Sequence, residues 1–250
     1  MSNLQHASVG ASPPSFIDLR EFADDKTLGA PSPVGAESDD RFLRDRRLLD
    51  LPPGPVTCGV IALEAGSGTV QSLPADEFVI VHEGALTITR QDGTLVLGAN
   101  DSAVLQQGVE FGWSAEGPVS LIFMRYGGGT PGEGGLTPII KSPTLEPSGP
   151  PLAELLVGPT PACRNHTDYR SPDGVFTCGT WDSTPYHRRA MSYRHYELMY
   201  LLEGSVTFED ETGRRGTFSK GDIFLVEQHA QCSWESREHV AKVYAIYRPL

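Results

Sequence analysis

The sequence predicts an all-β protein in which one antiparallel domain occurs twice. Three observations carry that expectation. Identical residues recur at a spacing of 120: Thr57-Cys58-Gly59 with Thr177-Cys178-Gly179, Ser72 with Ser192, Glu77 with Glu197, Glu83-Gly84 with Glu203-Gly204, Thr87 with Thr207 and Gly93 with Gly213. After one inserted residue the match continues as Asp101/Asp222, Gln107/Gln228, Trp113/Trp234, Val119/Val240 and Tyr126/Tyr247. Short apolar or alternating runs lie between turn residues in both copies, and 27 Gly with 20 Pro in 250 residues supply the turns that many short strands need. Two copies of this size are duplicated domains, because a solenoid would need three or more shorter units.

The elements follow in order. Residues 1–54 are a lead-in expected to pack on the domains; within it Phe16 to Phe22 fits a short strand or a helical turn, and Asp40 to Leu51 is too irregular to assign. Residues 55–126 hold the first domain, with strands expected at Phe78–Val81, Gly84–Thr89, Ala103–Leu105 and Val119–Met124. Residues 127–151, which open on Gly127-Gly128-Gly129 and end on Ser148-Gly149-Pro150-Pro151, read as a linker, since glycine removes stiffness and proline blocks helix and central-strand pairing. Residues 152–250 hold the second domain, with strands at Leu198–Leu202, Ser205–Phe208, Ile223–Val226 and Val240–Tyr247. Asp92-Gly93 and Thr212-Gly213 stand where hairpins turn. A jelly roll answers this pattern, because two facing sheets close most strand edges and leave a cavity between them.

Charge narrows the function. A net charge of -12 repels phosphate backbones and anionic lipid, and the cluster Arg41, Arg44, Arg46 and Arg47 is ringed by Asp39, Asp40, Asp45 and Asp50, so neither nucleic acid nor a membrane is an expected partner. The first thirty residues contain no signal-peptide core, which gives a cytoplasmic expectation. Cys58, Cys163, Cys178 and Cys232 form no C-x-x-C pair and read as free thiols.

Glu197 followed by Gly204, then Gly221-Asp222 and Cys232, resembles the two-motif layout of cupins, and Glu77 to Gly84 with Asn100-Asp101 to Phe111 repeats it. The whole is therefore identified as a bicupin, a tandem of double-stranded β-helix jelly rolls. Cys178-Gly179-Thr180-Trp181-Asp182-Ser183-Thr184-Pro185, Tyr200-Leu201-Leu202-Glu203-Gly204, Ser219-Lys220-Gly221-Asp222, Trp234 and Lys242-Val243-Tyr244 are similar to the ethanolamine-utilisation-protein-Q-like and ureidoglycine-aminohydrolase-like cupins. The resemblance implies a barrel site and, in its metal-binding members, two histidines before the motif glutamate and a third in the second motif. Here the positions before Glu197 are Met191 and Tyr193, or Ala190 and Ser192, and the second-motif position is Cys232; the first copy offers Gln71 and Leu73, or Val70 and Ser72, with Phe111. No metal is favoured on that ligand set. A divalent ion (Mn, Zn, Fe or Ni) in the C-terminal barrel would have to use Glu197 with Cys232 or His195.

A buried carboxylate needs a partner. Lys242, on the last expected strand and matched by Leu121 in the first copy, is expected to form a buried ion pair with Glu197, or to hold a polar ligand jointly with it, in place of the ion. Glu197, Lys242 and Cys232 are the catalytic candidates; Cys232 would act as a thiolate of lowered pKa near the lysine or as a soft metal ligand, although a buried cysteine is more often a small hydrophobe. Met191, Tyr193, Glu197, Met199, Cys232, Lys242 and Tyr244 are the candidate ligand-binding residues, an apolar lining with polar tips. His195 and His229 fall at turns and are expected at the rim or surface, where either could do acid-base work; His187-Arg188-Arg189 could bind an anionic substrate but reads first as a solvated strand edge, and Trp113 and Trp234 read as structural by duplication. The leading function is binding of a small polar metabolite in the C-terminal barrel, with a structural N-terminal barrel. The alternatives are a metal-dependent hydrolase or aminohydrolase acting on a ureide, and a non-catalytic oligomeric scaffold; a monomer and a homodimer both stay open.

Overall fold

The computed structural model describes residues 13–132 and 134–250; the first twelve residues of the lead-in and Glu133 of the linker lie outside them. The chain forms two jelly rolls, each a seven-stranded sheet facing a four-stranded one. In the first, the larger sheet runs in the order Leu136–Pro138, Ser102–Leu105, Asp76–Glu83, Val119–Tyr126, Val56–Leu63, Arg46–Leu48, Ala30–Pro31. In the second, the order is Phe16–Asp18, Ile223–Val226, Tyr196–Glu203, Val240–Tyr247, Phe176–Ser183, Cys163–Arg170, Glu146–Ser148. The repeat-related strands occupy equivalent places, with all pairings antiparallel.

Period-two alternation sorts the side chains. In Tyr196–Glu203, Met199 and Leu201 join the core inside the second barrel, whereas Tyr196, Leu198 and Tyr200 face the other way. There they meet the outward residues of the first barrel, including Cys58, Phe78, Ile80, Ile122 and Met124, in one continuous apolar core between the two large sheets. Cys58 and Cys178 both lie in that inter-barrel core, fully buried. Each barrel keeps its own interior as well, filled in the first by Ile61, Val79, Leu86, Phe111 and Phe123 among others.

The motif glycines have a steric cause. Gly84 and Gly204 adopt φ of 82° and 74°, and a Cβ on either would collide with a carbonyl oxygen, of Pro118 and His239 respectively. Only glycine accepts the left-handed conformation and the close approach together.

The lead-in is more ordered than its sequence suggests. Phe16–Asp18 is a strand and Leu19–Asp24 a helix, capped by Asp18, whose carboxylate accepts from the N–H groups of Arg20 and Glu21. Asp40 caps a short helix, Arg41–Arg44, before the strand Arg46–Leu48. Residues 127–151, expected as linker, contribute the edge strands Leu136–Pro138 to the first barrel and Glu146–Ser148 to the second. Phe16–Asp18 crosses over: it pairs with Ile223–Val226 of the second barrel, and Phe16 packs between Phe208 and Phe218 inside it.

Candidate functional site

Both barrels bury their motif glutamate, and they neutralise it differently. In the first, Glu77 accepts a bidentate pair of hydrogen bonds from Arg46 (Nη1 to Oε2 2.6 Å, Nη2 to Oε1 3.0 Å) and a third from Arg125 Nε at 2.9 Å. Burial alone would raise the Glu77 carboxyl, but Arg46 and then Arg125 hold it below its usual value. The side chains of Arg46 and Glu77 are 0% exposed and that of Arg125 8%, so the carboxylate itself is closed off from solvent. Neither arginine was anticipated as a partner. The alternation Val119, Leu121, Phe123, Arg125 was the available signal for one of them, and nothing local announced Arg46.

In the second barrel, Lys242 Nζ donates to Glu197 Oε1 at 2.8 Å and lies 3.1 Å from Met199 Sδ. The ammonium sits over two indole faces, 4.7 Å from the Trp181 ring centroid and 5.0 Å from that of Trp234. His195 Nε2 is 3.2 Å from the other carboxylate oxygen, Oε2. Burial pushes the Glu197 carboxyl up, but the Lys242 ammonium and then His195 outweigh it and hold the group well below the ordinary carboxylate range. Beyond His195 stands Tyr193, with ring centroids 5.3 Å apart, and Arg188 Nη2 donates to the Tyr193 hydroxyl at 2.9 Å with its guanidinium over that ring. Tyr186 stacks on Trp234 at 5.5 Å. Contacts thus run from Arg188 through Tyr193, His195, Glu197 and Lys242 to Trp234, which is the cross-strand neighbour of Arg188. The side chains form a circuit around the barrel interior.

Several expectations need correction. His195 is at a turn, as its position suggested, yet it is buried and turned inward onto Glu197 rather than placed on the rim. Arg188 is buried, not part of a solvated edge: a bulge between Arg188 and Met191 interrupts the register of Tyr186–Ser192. Trp234 is more than a structural repeat of Trp113. It covers Lys242, whereas the Trp113 indole donates to Asp40 of the lead-in. Cys232 is fully buried, and burial, with Asp210 nearby, pushes its thiol up to about 11, so it is a neutral thiol at physiological pH, as a small buried hydrophobe would be, and not a thiolate. Met191 lies half-buried opposite Cys232. Tyr244 is buried with its hydroxyl 3.1 Å from Thr167 Oγ1, and His229 is exposed at φ 72°.

The residues around Glu197 do not fit a divalent ion. Both carboxylate oxygens are already engaged, one of them by an ammonium group that stands as the local cation. Only one histidine accompanies the carboxylate, and among the described residues no group of three or more His, Cys, Asp or Glu side chains is disposed to hold a metal.

This is the cupin jelly-roll fold, present in two copies with an inward glutamate in each. Residues 170–244, most of the second barrel, match the EutQ-like cupin domain family, and the chain as a whole has the cupin jelly-roll fold. A crystal structure of a protein of unknown function of the DUF861 family from Pseudomonas syringae pv. tomato is similar over 93% of this chain and 99% of its own, with 27% identity and a TM-score of 0.84. A cupin 2 conserved barrel domain protein from Leptotrichia buccalis (10% identity, 97% and 100% of the chains, TM-score 0.57) shares the fold. So does a putative glyoxylate induced protein from Pseudomonas aeruginosa (13%, 96% and 93%, TM-score 0.55). No curated protein matches the chain.

Proposed function

We propose that this bicupin binds a small polar metabolite inside its C-terminal barrel, at Glu197, Lys242, His195 and Tyr193, and that the N-terminal barrel is structural. One contrast supports the reading. At equivalent positions, the Glu77 side chain is 0% exposed although its partner Arg125 keeps 8%, whereas the Glu197 side chain keeps 9% of its own surface accessible beside His195 and Lys242. A purely structural ion pair gains nothing from that opening, while a binding site requires it. The lining is also of the binding kind, with the aromatic faces of Trp181, Tyr186, Tyr193 and Trp234 around a few fixed polar groups. Lys242 can donate to a ligand oxygen, and Glu197 can accept from a ligand N–H or O–H. The four cysteines are unpaired, which suits the reducing cytoplasm.

Thermal unfolding of the full chain against a panel of amides, ureides and organic acids tests the proposal. A ligand of this barrel raises the melting temperature of the wild type, and the rise disappears in His195→Ala. A rise that survives in His195→Ala places the ligand elsewhere. Dialysis against EDTA is expected to leave the melting temperature unchanged, because Lys242 supplies the positive charge; a fall of several degrees, restored by manganese or zinc, would overturn the arrangement described.

A further inference from the structure

Four cationic side chains are buried among the described residues: Arg46, Arg125, Arg188 and Lys242. Arg46 and Arg125 share Glu77, and Lys242 has Glu197. Arg188 alone forms no ion pair with a carboxylate. At 4% exposure, its guanidinium makes two hydrogen bonds, from Nη2 to the Tyr193 hydroxyl at 2.9 Å and from Nη1 to the Arg189 carbonyl at 3.2 Å, both to neutral oxygens. A guanidinium stays protonated at any physiological pH, and one taken out of water without a counter-charge is strongly disfavoured. The rest of its donor fork is unused.

The surrounding charges do not cancel it. The Glu197 carboxylate is turned to Lys242 and His195, leaving Arg188, Lys242 and Glu197 together with one positive charge in excess inside the barrel. A second unsatisfied donor lies in the same interior: Ser183 Oγ, buried and without a partner, sits two residues from Trp181 on the same strand and hence on the same face. The Tyr186 hydroxyl makes no hydrogen bond to the described residues, and Tyr186 sits close enough to Arg188, Tyr193 and Glu197 to feel all three charges or dipoles. The interior therefore offers an excess of donors and an excess of positive charge.

Resting on the binding role of this barrel and deepening it, we infer that the ligand is a small organic carboxylate, its carboxylate received by the Arg188 guanidinium and the remainder of the molecule lying against Tyr193 and Tyr186 toward Glu197 and Lys242. A planar carboxylate matches the arginine fork geometrically, and it supplies the one negative charge the interior lacks. The Glu197 end, with its paired ammonium and histidine, then faces whatever hydroxyl or amino group the carboxylate carries.

Titration of the full chain with acetate, glycolate and malonate, each followed by tryptophan fluorescence and by the melting temperature, tests the class. Acetamide and glycolamide serve as uncharged isosteres, and inorganic phosphate as a non-planar anion. At least one carboxylate is expected to perturb Trp181 and Trp234 and to raise the melting temperature, with its amide binding about tenfold or more weakly, the cost of losing a charged hydrogen bond. Arg188→Met is expected to abolish the preference for the carboxylate over the amide. Arg188→Lys, which retains the charge and guards against a variant that merely fails to fold, is expected to bind carboxylate more weakly than wild type while retaining the preference. Amides binding as well as acids, phosphate binding in place of carboxylates, or a preference unchanged in both variants would each overturn the assignment while leaving a barrel binding site standing. No response to any of the probes would overturn the carboxylate class and the small-metabolite reading together.

Discussion

At the scale of single residues, the second barrel turns on a carboxylate and an ammonium group 2.8 Å apart with little access to water. Removing one member of such a pair leaves the other buried and uncompensated, so Lys242→Met is expected to cost about 3–5 kcal/mol in urea unfolding. Replacing both, as Glu197→Leu with Lys242→Met, is expected to recover most of that loss, since an apolar pair needs no counter-charge. A double variant no more stable than the single one would show that the pair is not coupled. The same carboxylate sets a pH dependence. Its folded pKa is lowered by Lys242 and His195 against the effect of burial, so its contribution is complete above the ordinary glutamate value of about 4.3 and is lost as the pH falls toward the folded value. Glu197→Gln is expected to be less stable than wild type at neutral pH and to decline less steeply below about pH 5. Equal slopes for the two proteins in acid would refute this. Glu197 and Lys242 were legible in the sequence because the repeat exposes the motif glutamate and the lysine falls where its counterpart is Leu121. Arg188 and His195 were not, because a bulge and a turn decide their directions and neither has a one-dimensional signature.

At the scale of elements, the decisive piece is the strand Phe16–Asp18, which leaves the lead-in to complete the second barrel. Its Phe16 ring is buried among Phe208 and Phe218, and Arg214 lies over it at 4.4 Å. A Cβ on Gly216 would strike that ring, which explains the glycine there. The helix that follows ties the barrels: Arg20 donates from Nε to the Gly221 carbonyl at 2.7 Å in the second and from Nη2 to Asn100 at 2.5 Å in the first. Phe16→Ala is expected to destabilise by about 3–5 kcal/mol. In the folded protein its effect should fall on the second barrel, read as a change in the native Trp181 and Trp234 emission and not in that of Trp113, while the unfolding midpoint falls for all three tryptophans. A variant of wild-type stability would mean that this strand is dispensable. The strands themselves followed from alternation and turn residues, but the partner of a short strand with open edges is chosen by what lies beside it in space, and Phe16–Asp18 carries no mark of its distant mate.

At the scale of the molecule, the two barrels share one apolar core rather than touching through a polar interface. Leu198, Tyr200 and Ala245 of one barrel pack there with Phe78, Ile80 and Met124 of the other. Such a core couples the halves, and the crossing strand couples them again. Denaturation followed by Trp113 alone, in Trp181→Phe/Trp234→Phe, and by Trp181 and Trp234 alone, in Trp113→Phe, is therefore expected to give coincident midpoints. Two separated transitions would instead describe independent domains.

The sequence by itself determined the all-β class, the duplication, the approximate strands and the motif glutamates, because these depend on period-two patterning, turn chemistry and self-similarity, all of which are properties of the chain in one dimension. Only the tertiary structure decided that one glutamate is sealed by two arginines and the other left open beside a lysine, a histidine and an unpaired guanidinium. The partner of a buried charge is whichever opposite charge folding brings within a few ångströms, and residues as distant as Arg46 and Glu77, or Lys242 and Glu197, become neighbours only when their strands assemble into one sheet.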